Sequence, residues 1–122
     1  MIGVCIPAHN EERPIEDCLR AVMRASRHPR LGREPVRIVV VLDQCEDGTA
    51  RRAAGWPVEL LMVQARNVGM ARAAGAQHLL TAGAPWLAFT DADTCVSPGW
   101  LADQLSLNAE VVCGTVSVTG WD

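Results

Sequence analysis

The sequence predicts an α/β protein whose mostly parallel sheet carries helices on both faces. Three observations point there. Apolar runs of strand length alternate with stretches of helical periodicity from one end of the chain to the other. The run from Val36 to Leu42, apolar except for Arg37, needs cover on both faces, as strands of parallel sheets do. A chain of 122 residues with a hydrophobic share of 49% can bury the core of one domain, and no repeat, low-complexity stretch or composition break divides it.

Ile2 to Pro7 reads as a short buried strand closed by the polar turn His9, Asn10, Glu11 and Glu12. Pro14 suits the first turn of a helix, where its missing N–H costs nothing, and Ile15, Cys18, Leu19, Val22 and Met23 recur at helical spacing to give one apolar face. The basic loop from Arg27 to Pro35 leads into the strand Val36 to Leu42, followed at once by Asp43 and by a short helix to about Ala54. Trp56 and Pro57 break the chain before a strand from Val58 to Val63. Asn67 can cap a helix to about Thr81, whose Ala71, Ala74, Gly75 and Ala76 form a small-residue surface able to lie close on a sheet. The Gly83 to Pro85 turn introduces an apolar strand, Trp86 to Phe89, expected to be buried. Ser97 and Pro98 make an N-cap and N1 pair for a helix through Leu107, and Val111 to Val118 reads as a further strand.

Composition narrows the function classes. Net charge is −3, all 11 basic residues are scattered arginines, and Phe89 with four tryptophans is the whole aromatic supply, so no nucleic-acid partner is expected. The five cysteines, at 5, 18, 45, 95 and 113, include no CxxC pair and fit reduced thiols; Cys5, Cys18 and Cys113 read as small buried hydrophobes. A nucleophilic role for Cys45 or Cys95 would need a nearby base, for which only His9 stands close in the scheme. His28 and His78 read as surface or helix residues without function. With no basic leader and no apolar run long enough to span a bilayer, the expectation is a cytoplasmic protein without a transmembrane segment, peripheral membrane contact being left open.

Ligands of open parallel sheets bind beyond the carboxyl ends of the strands. There the sequence sets Pro7, Ala8, His9, Asn10 and Glu11, then Asp43, then Asp91 and Asp93. If extended geometry persisted after Phe89, Asp91 and Asp93 would share one side of the chain about 7 Å apart. Two such carboxylates ask for a cation between them, and hard oxygen ligands suit Mg2+ or Mn2+. Neither G-x-G-x-x-G nor a phosphate loop with lysine occurs, so a nucleotide would be read by carboxylates, with a metal on its phosphates.

The runs IPAHNEE, DQCEDGT, NVGMARAAG and TDAD, in that order, resemble the nucleotide-binding half of an inverting family 2 glycosyltransferase of the GT-A fold, a Rossmann-like three-layer α/β/α arrangement. The resemblance covers essentially residues 1–122 as a single domain. It implies transfer of a sugar from a nucleoside diphosphate sugar, typically a UDP-sugar, aided by Mg2+ or Mn2+, to an acceptor the sequence does not identify. Residue by residue, it implies that Pro7, Ala8, His9 and Glu11 line base and ribose, and that Asp43 accepts a hydrogen bond from the base. Asp91 would meet the ribose or a metal-bound water, and Asp93 the metal. Arg72 resembles the family arginine, with Arg66 an alternative, and Ala73 departs from the asparagine usual after it. The catalytic base of the family is an acid from a later segment, expected beyond Asp122, so the chain is expected to be a fragment lacking the acceptor-binding half. Trp121 and the last strand would expose an apolar edge suited to self-association.

Two rival readings come from other classes. A haloacid-dehalogenase-like phosphatase also carries Asp-x-Asp after a buried strand, but wants Thr where Cys95 stands. A non-catalytic nucleotide-binding or protein-interaction domain with an incomplete site would be favoured by loss of Asp43 or Asp93, and both are present.

Overall fold

The computed structural model describes residues 1–106. The elements run β1 (Ile2–Ala8), α1 (Ile15–Ser26), a 3-10 turn (Pro29–Leu31), β2 (Val36–Asp43), α2 (Thr49–Ala53), β3 (Glu59–Val63), α3 (Val68–Thr81), β4 (Trp86–Phe89) and α4 (Trp100–Ser106). The four strands form one parallel sheet in the order β3-β2-β1-β4. The predicted strand Val111 to Val118, Cys113 and the Trp121 edge lie outside the described residues.

Strand alternation explains the two cores. Val4, Ile6, Ile38, Val40 and Leu42 face Ile15, Leu19 and Val22 of α1, together with Ala53 of α2 and Leu101 of α4. Cys5, Val39 and Val41 point the other way, onto Ala71 and Leu79 of α3. The chain steps outward from β1 through β2 to β3, then reverses across the sheet to β4. Right-handed crossovers put connections running in opposite directions on opposite faces, hence α3, alone among the described helices, lies behind the sheet. Gly75 lets it lie close: a Cβ there would stand 2.3 Å from Cys5 Sγ and 2.8 Å from Val41 Cγ2.

Several boundaries differ from the sequence reading. Pro14 occupies the N-cap position rather than the first helical one. Ser97 and Pro98 do not open α4; a turn in which Trp100 N–H donates to the Ser97 carbonyl precedes it, and the helix begins at Trp100. The expected buried strand before the two acids is only partly so. Ala88 is buried but Phe89 is 43% exposed, because β4 is an edge of the described sheet. The basic loop contains a 3-10 turn that seats Leu31 in the core. No helix among the described residues is long and apolar enough to cross a membrane.

Candidate donor-binding cleft

Strand order reverses at β1, flanked by β2 and β4, and that switch point opens a cleft beyond the strand ends. A cleft of about 730 Å³ lies there, within the range that holds a nucleotide-sized ligand. It is lined by Pro7, Ala8, His9 and Glu11 from β1 and the following loop, by Asp43 from β2, and by Asp91 and Asp93 from the segment after β4. Arg66 lines it; Arg72 is held to it through Asp91.

Asp43 closes β2 with a carboxylate 5% exposed. Its Oδ1 accepts the backbone N–H groups of Ala65 and Arg66, both at 2.9 Å, and its Oδ2 that of Asn67 at 3.1 Å. Burial would push its pKa up, but the three amides and nearby His9 outweigh that, leaving it below the usual carboxylate range. Asp43 therefore latches the turn that starts α3, while Asn67 caps the helix by accepting from Met70 N–H.

The loop after β1 is fixed from the side. His9 Nδ1 lies 2.7 Å from the Asp43 carbonyl, which can only accept, so Nδ1 carries the proton and Nε2 is left toward solvent or ligand in the neutral ring. Asn10 Oδ1 accepts from Glu46 N–H, Glu11 N–H donates to Thr49 Oγ1, and Glu12 N–H donates to Asp47 Oδ2. The Asp-Gly-Thr of the DQCEDGT run thus serves to hold its neighbour loop, with Thr49 fully buried and its hydroxyl on Asp47. Thr49 draws the Asp47 carboxyl below its ordinary value.

The two acids of the TDAD run reach the cleft by a turn, not by extended geometry. Thr94 N–H donates to the Asp91 carbonyl at 3.1 Å, while Ala92 between the acids is buried in the core. Asp91 Oδ1 accepts from Arg72 Nη2 at 2.9 Å, so of the two candidate arginines it is Arg72 that pairs with this run. Arg66 instead donates through Nε to Gln44 Oε1 on the opposite rim. Asp93 is exposed. Glu11 is pushed above the usual carboxyl range, first by partial burial and then by the charges of Asp93 and Asp47, with Asp91 adding to them against His9. This side of the cleft is short of positive charge.

Asn10, Gln44 and Arg66 adopt left-handed backbone, φ 51°, 50° and 49°, and all line the cleft. Such residues cost on the order of 1 kcal/mol each and cluster where function over-determines the backbone. The sequence reading gave Gln44, Glu46 and Ala71 no place in the site, although they line it. Gln44 and Glu46 could have been reached from their position directly after Asp43; nothing in the residue types marks Ala71. Cys45 donates its thiol to the Ala8 carbonyl at 3.4 Å, and neither it nor Cys95 lines the cleft.

A parallel α/β sheet with acids of three strand ends in one switch-point cleft is the layout of a ligand-binding α/β domain. The solved structures it is similar to include a mannosyltransferase, PcManGT from Pyrobaculum calidifontis, in complex with GDP-Man and Mn2+ (25% identity, TM-score 0.71, covering 89% of this chain and 32% of that one). They also include TarS of S. aureus in complex with UDP-GlcNAc (20%, TM-score 0.69, 86% and 30%). A third is glucosyl-3-phosphoglycerate synthase from Mycobacterium tuberculosis with Mn2+, UDP and glucosyl-3-phosphoglycerate (23%, TM-score 0.61, 84% and 37%). The fold is that of GT-A glycosyltransferases, and the chain spans about a third of the length of these relatives. Comparison with curated protein sequences gives no match. The sequence profile of glycosyl transferase family 2 matches residues 3–122, and the chain belongs to that family.

The residues fit a divalent ion of the kind that keeps most of its ligands from water and phosphate. Among the described residues no three His, Cys, Asp or Glu side chains gather into a metal cage. Asp93 is exposed and outside every ion pair among the described residues, beside a Glu11 already crowded by negative charge. One or two carboxylates with substrate oxygens is the pattern Mg2+ uses.

Proposed function

We propose that this chain binds a nucleoside diphosphate sugar, a UDP-sugar, with Mg2+ or Mn2+, and forms the donor side of an inverting glycosyltransferase. The observation that carries the reading is the convergence of His9, Glu11, Asp43, Asp91 and Asp93 on one nucleotide-sized cleft. Complexes of relatives with UDP-GlcNAc, with GDP-Man and Mn2+, and with UDP and Mn2+ support it.

In this reading Pro7, Ala8, His9 and Glu11 face base and ribose, His9 oriented by its Nδ1–H on the Asp43 carbonyl. Asp43 offers the base the acceptor capacity that Oδ2 keeps beyond its one amide. Arg72 sets the rotamer of Asp91, which meets the ribose or a metal-bound water, and Asp93 holds the metal. When bound, the divalent ion supplies Lewis-acid neutralisation of the diphosphate leaving group. The acceptor hydroxyl attacks from the opposite face and needs a base that none of these residues provides, so the acceptor-binding half and the base are assigned to other segments of a longer enzyme. A reducing, cytoplasmic setting goes with this reading, since it keeps exposed Cys95 a thiol.

Calorimetric titration of UDP, GDP and UDP-sugars with and without Mn2+, on wild type and Asp93→Ala, tests the proposal. Mn2+-dependent binding weakened at least about tenfold in the variant is expected, roughly one lost charge-assisted interaction. Thermal stability should not move, because Asp93 is exposed. Binding indifferent to both Mn2+ and the substitution, or no nucleotide binding at all, would overturn it.

A further inference from the structure

A second groove, of about 620 Å³, lies at the far end of α1 from the donor cleft. Helix α1 starts beside the carboxyl end of β1 and runs back toward the start of β2, and the groove lies along its second half, from Arg20 to Arg27. Arg20, Arg24, Arg27 and His28 line the groove beside the Trp56 indole, with three prolines making a stiff rim. Among the described residues no acidic side chain lines it, in a protein of net charge −3.

The charges are placed for use. The Arg20 guanidinium sits 5.6 Å over the Trp56 ring and is shared with Asp17. Arg24 and Arg27 are exposed and form no ion pair among the described residues. His28 Nδ1 accepts from Arg30 N–H, which leaves the ring proton on Nε2 as a donor. The C-terminal end of a helix favours cations, which accounts for Arg24 and Arg27 being stable there. It does not account for the concavity, the indole wall or the lack of carboxylates.

We infer that this groove is a second ligand site, for a phosphate-bearing anion of charge −2 or more. Three guanidiniums and an imidazole carry more donors than one carboxylate can satisfy, whereas a phosphate monoester or diphosphate presents several acceptor oxygens to several guanidinium forks. The indole wall suits an apolar or planar group attached to that phosphate. Without metal, the donor cleft with its five lining acids repels such a ligand, so the two sites separate by condition.

The test uses inorganic pyrophosphate in EDTA at low ionic strength, read by calorimetry, and in parallel vesicles of phosphatidic acid, a phosphate monoester, in phosphatidylcholine, read by sedimentation. Wild type is compared with Arg24→Gln/Arg27→Gln and with Arg13→Gln/Arg33→Gln, which removes the same charge from exposed positions outside the groove. Saturable binding weakened about tenfold or more in the first variant and little in the second supports the site. Its appearance with pyrophosphate or only with vesicles tells whether a soluble phosphate or a lipid headgroup is the source. No binding of either probe, or equal weakening by both variants, overturns the inference. Because metal is absent and the donor acids are untouched, failure here leaves the donor-cleft reading standing, and failure of that reading leaves this one.

Discussion

Asp43→Asn tests whether one carboxylate joins the sheet to the rim of the cleft. The amide is nearly isosteric, so shape is kept and the change isolates charge and hydrogen-bond polarity. Its oxygen can still accept from Ala65 and Arg66, but its NH2 then faces the Asn67 N–H, where Oδ2 accepted. One charge-assisted bond, about 1.5–3 kcal/mol, is lost, and the two that remain weaken by roughly half. Relief from holding an ion in a buried position offsets part of this, leaving a net loss of about 2 kcal/mol at pH 7. The pKa of Asp43 is lowered on folding, so its stabilisation is fully present above the unfolded value near 3.8 and is lost as pH falls through the lower folded value. Urea unfolding of both proteins should give a stability gap of about 2 kcal/mol at pH 7 that narrows steadily as the carboxyl protonates below about pH 4. A gap under about 0.5 kcal/mol at neutral pH, or one constant with pH, would refute the latch.

Gly75→Ala should destabilise despite the better helix former. Propensity favours Ala by about 1 kcal/mol. A Cβ 2.3 Å from the Cys5 sulfur forces α3 off the sheet at about 3 kcal/mol, so urea unfolding should show a net loss of about 2 kcal/mol. Glu59→Gln removes the charge and one of the two acceptor oxygens that hold bidentate Arg37 and His78 where β2, β3 and α3 meet. Its side chain is 35% exposed, and screening limits the loss to under about 1 kcal/mol, a fall of about 3 °C in Tm at pH 7. Arg37 first, against partial burial, and then His78 hold the Glu59 carboxyl down at about 2. Its contribution should therefore be present above pH 4.5 and fade as pH drops toward 2, which melting curves across that window would check.

The architecture was legible because its signals are local and periodic. Val36 to Leu42 shows its two-sided burial in composition, α1 in the spacing of Ile15, Cys18, Leu19 and Val22, and the close seat of α3 in Ala71 and Gly75. The gathering of Asp43, Asp91 and Asp93 followed from strand ends and the switch-point rule. What stayed hidden depends on partners distant in sequence. No pattern in residues 9–12 announces that Asp47 and Thr49 hold that loop, and nothing near Asp43 tells that its oxygens serve amides more than 20 residues on. His78, read as without function, joins the Glu59 cluster for the same reason, and His28 proves to cap the 3-10 turn. The route of Asp91 and Asp93 to the cleft was missed because a buried Ala92 turns the chain where alternation assumed it straight.

The lateral ties between the loops after β1 and β2 make the stiffness of the cleft uneven. His9, Asn10, Glu11 and Glu12 each bond across to Asp43, Glu46, Thr49 or Asp47, so these two loops form a single preassembled wall. Among the described residues the facing segment, with Asp91 and Asp93, is held by the Arg72 ion pair, the Cys18 thiol on the Asp91 carbonyl, the Thr90 N–H on the Cys5 carbonyl and the seat of Ala92, with no side-chain lattice like that of the first wall. A ligand docking on the first wall costs the protein little freedom, while the ordering cost of closing on its far end falls on the second. Under the proposed donor reading, the base would meet the preassembled wall and what hangs from the phosphates the less braced one.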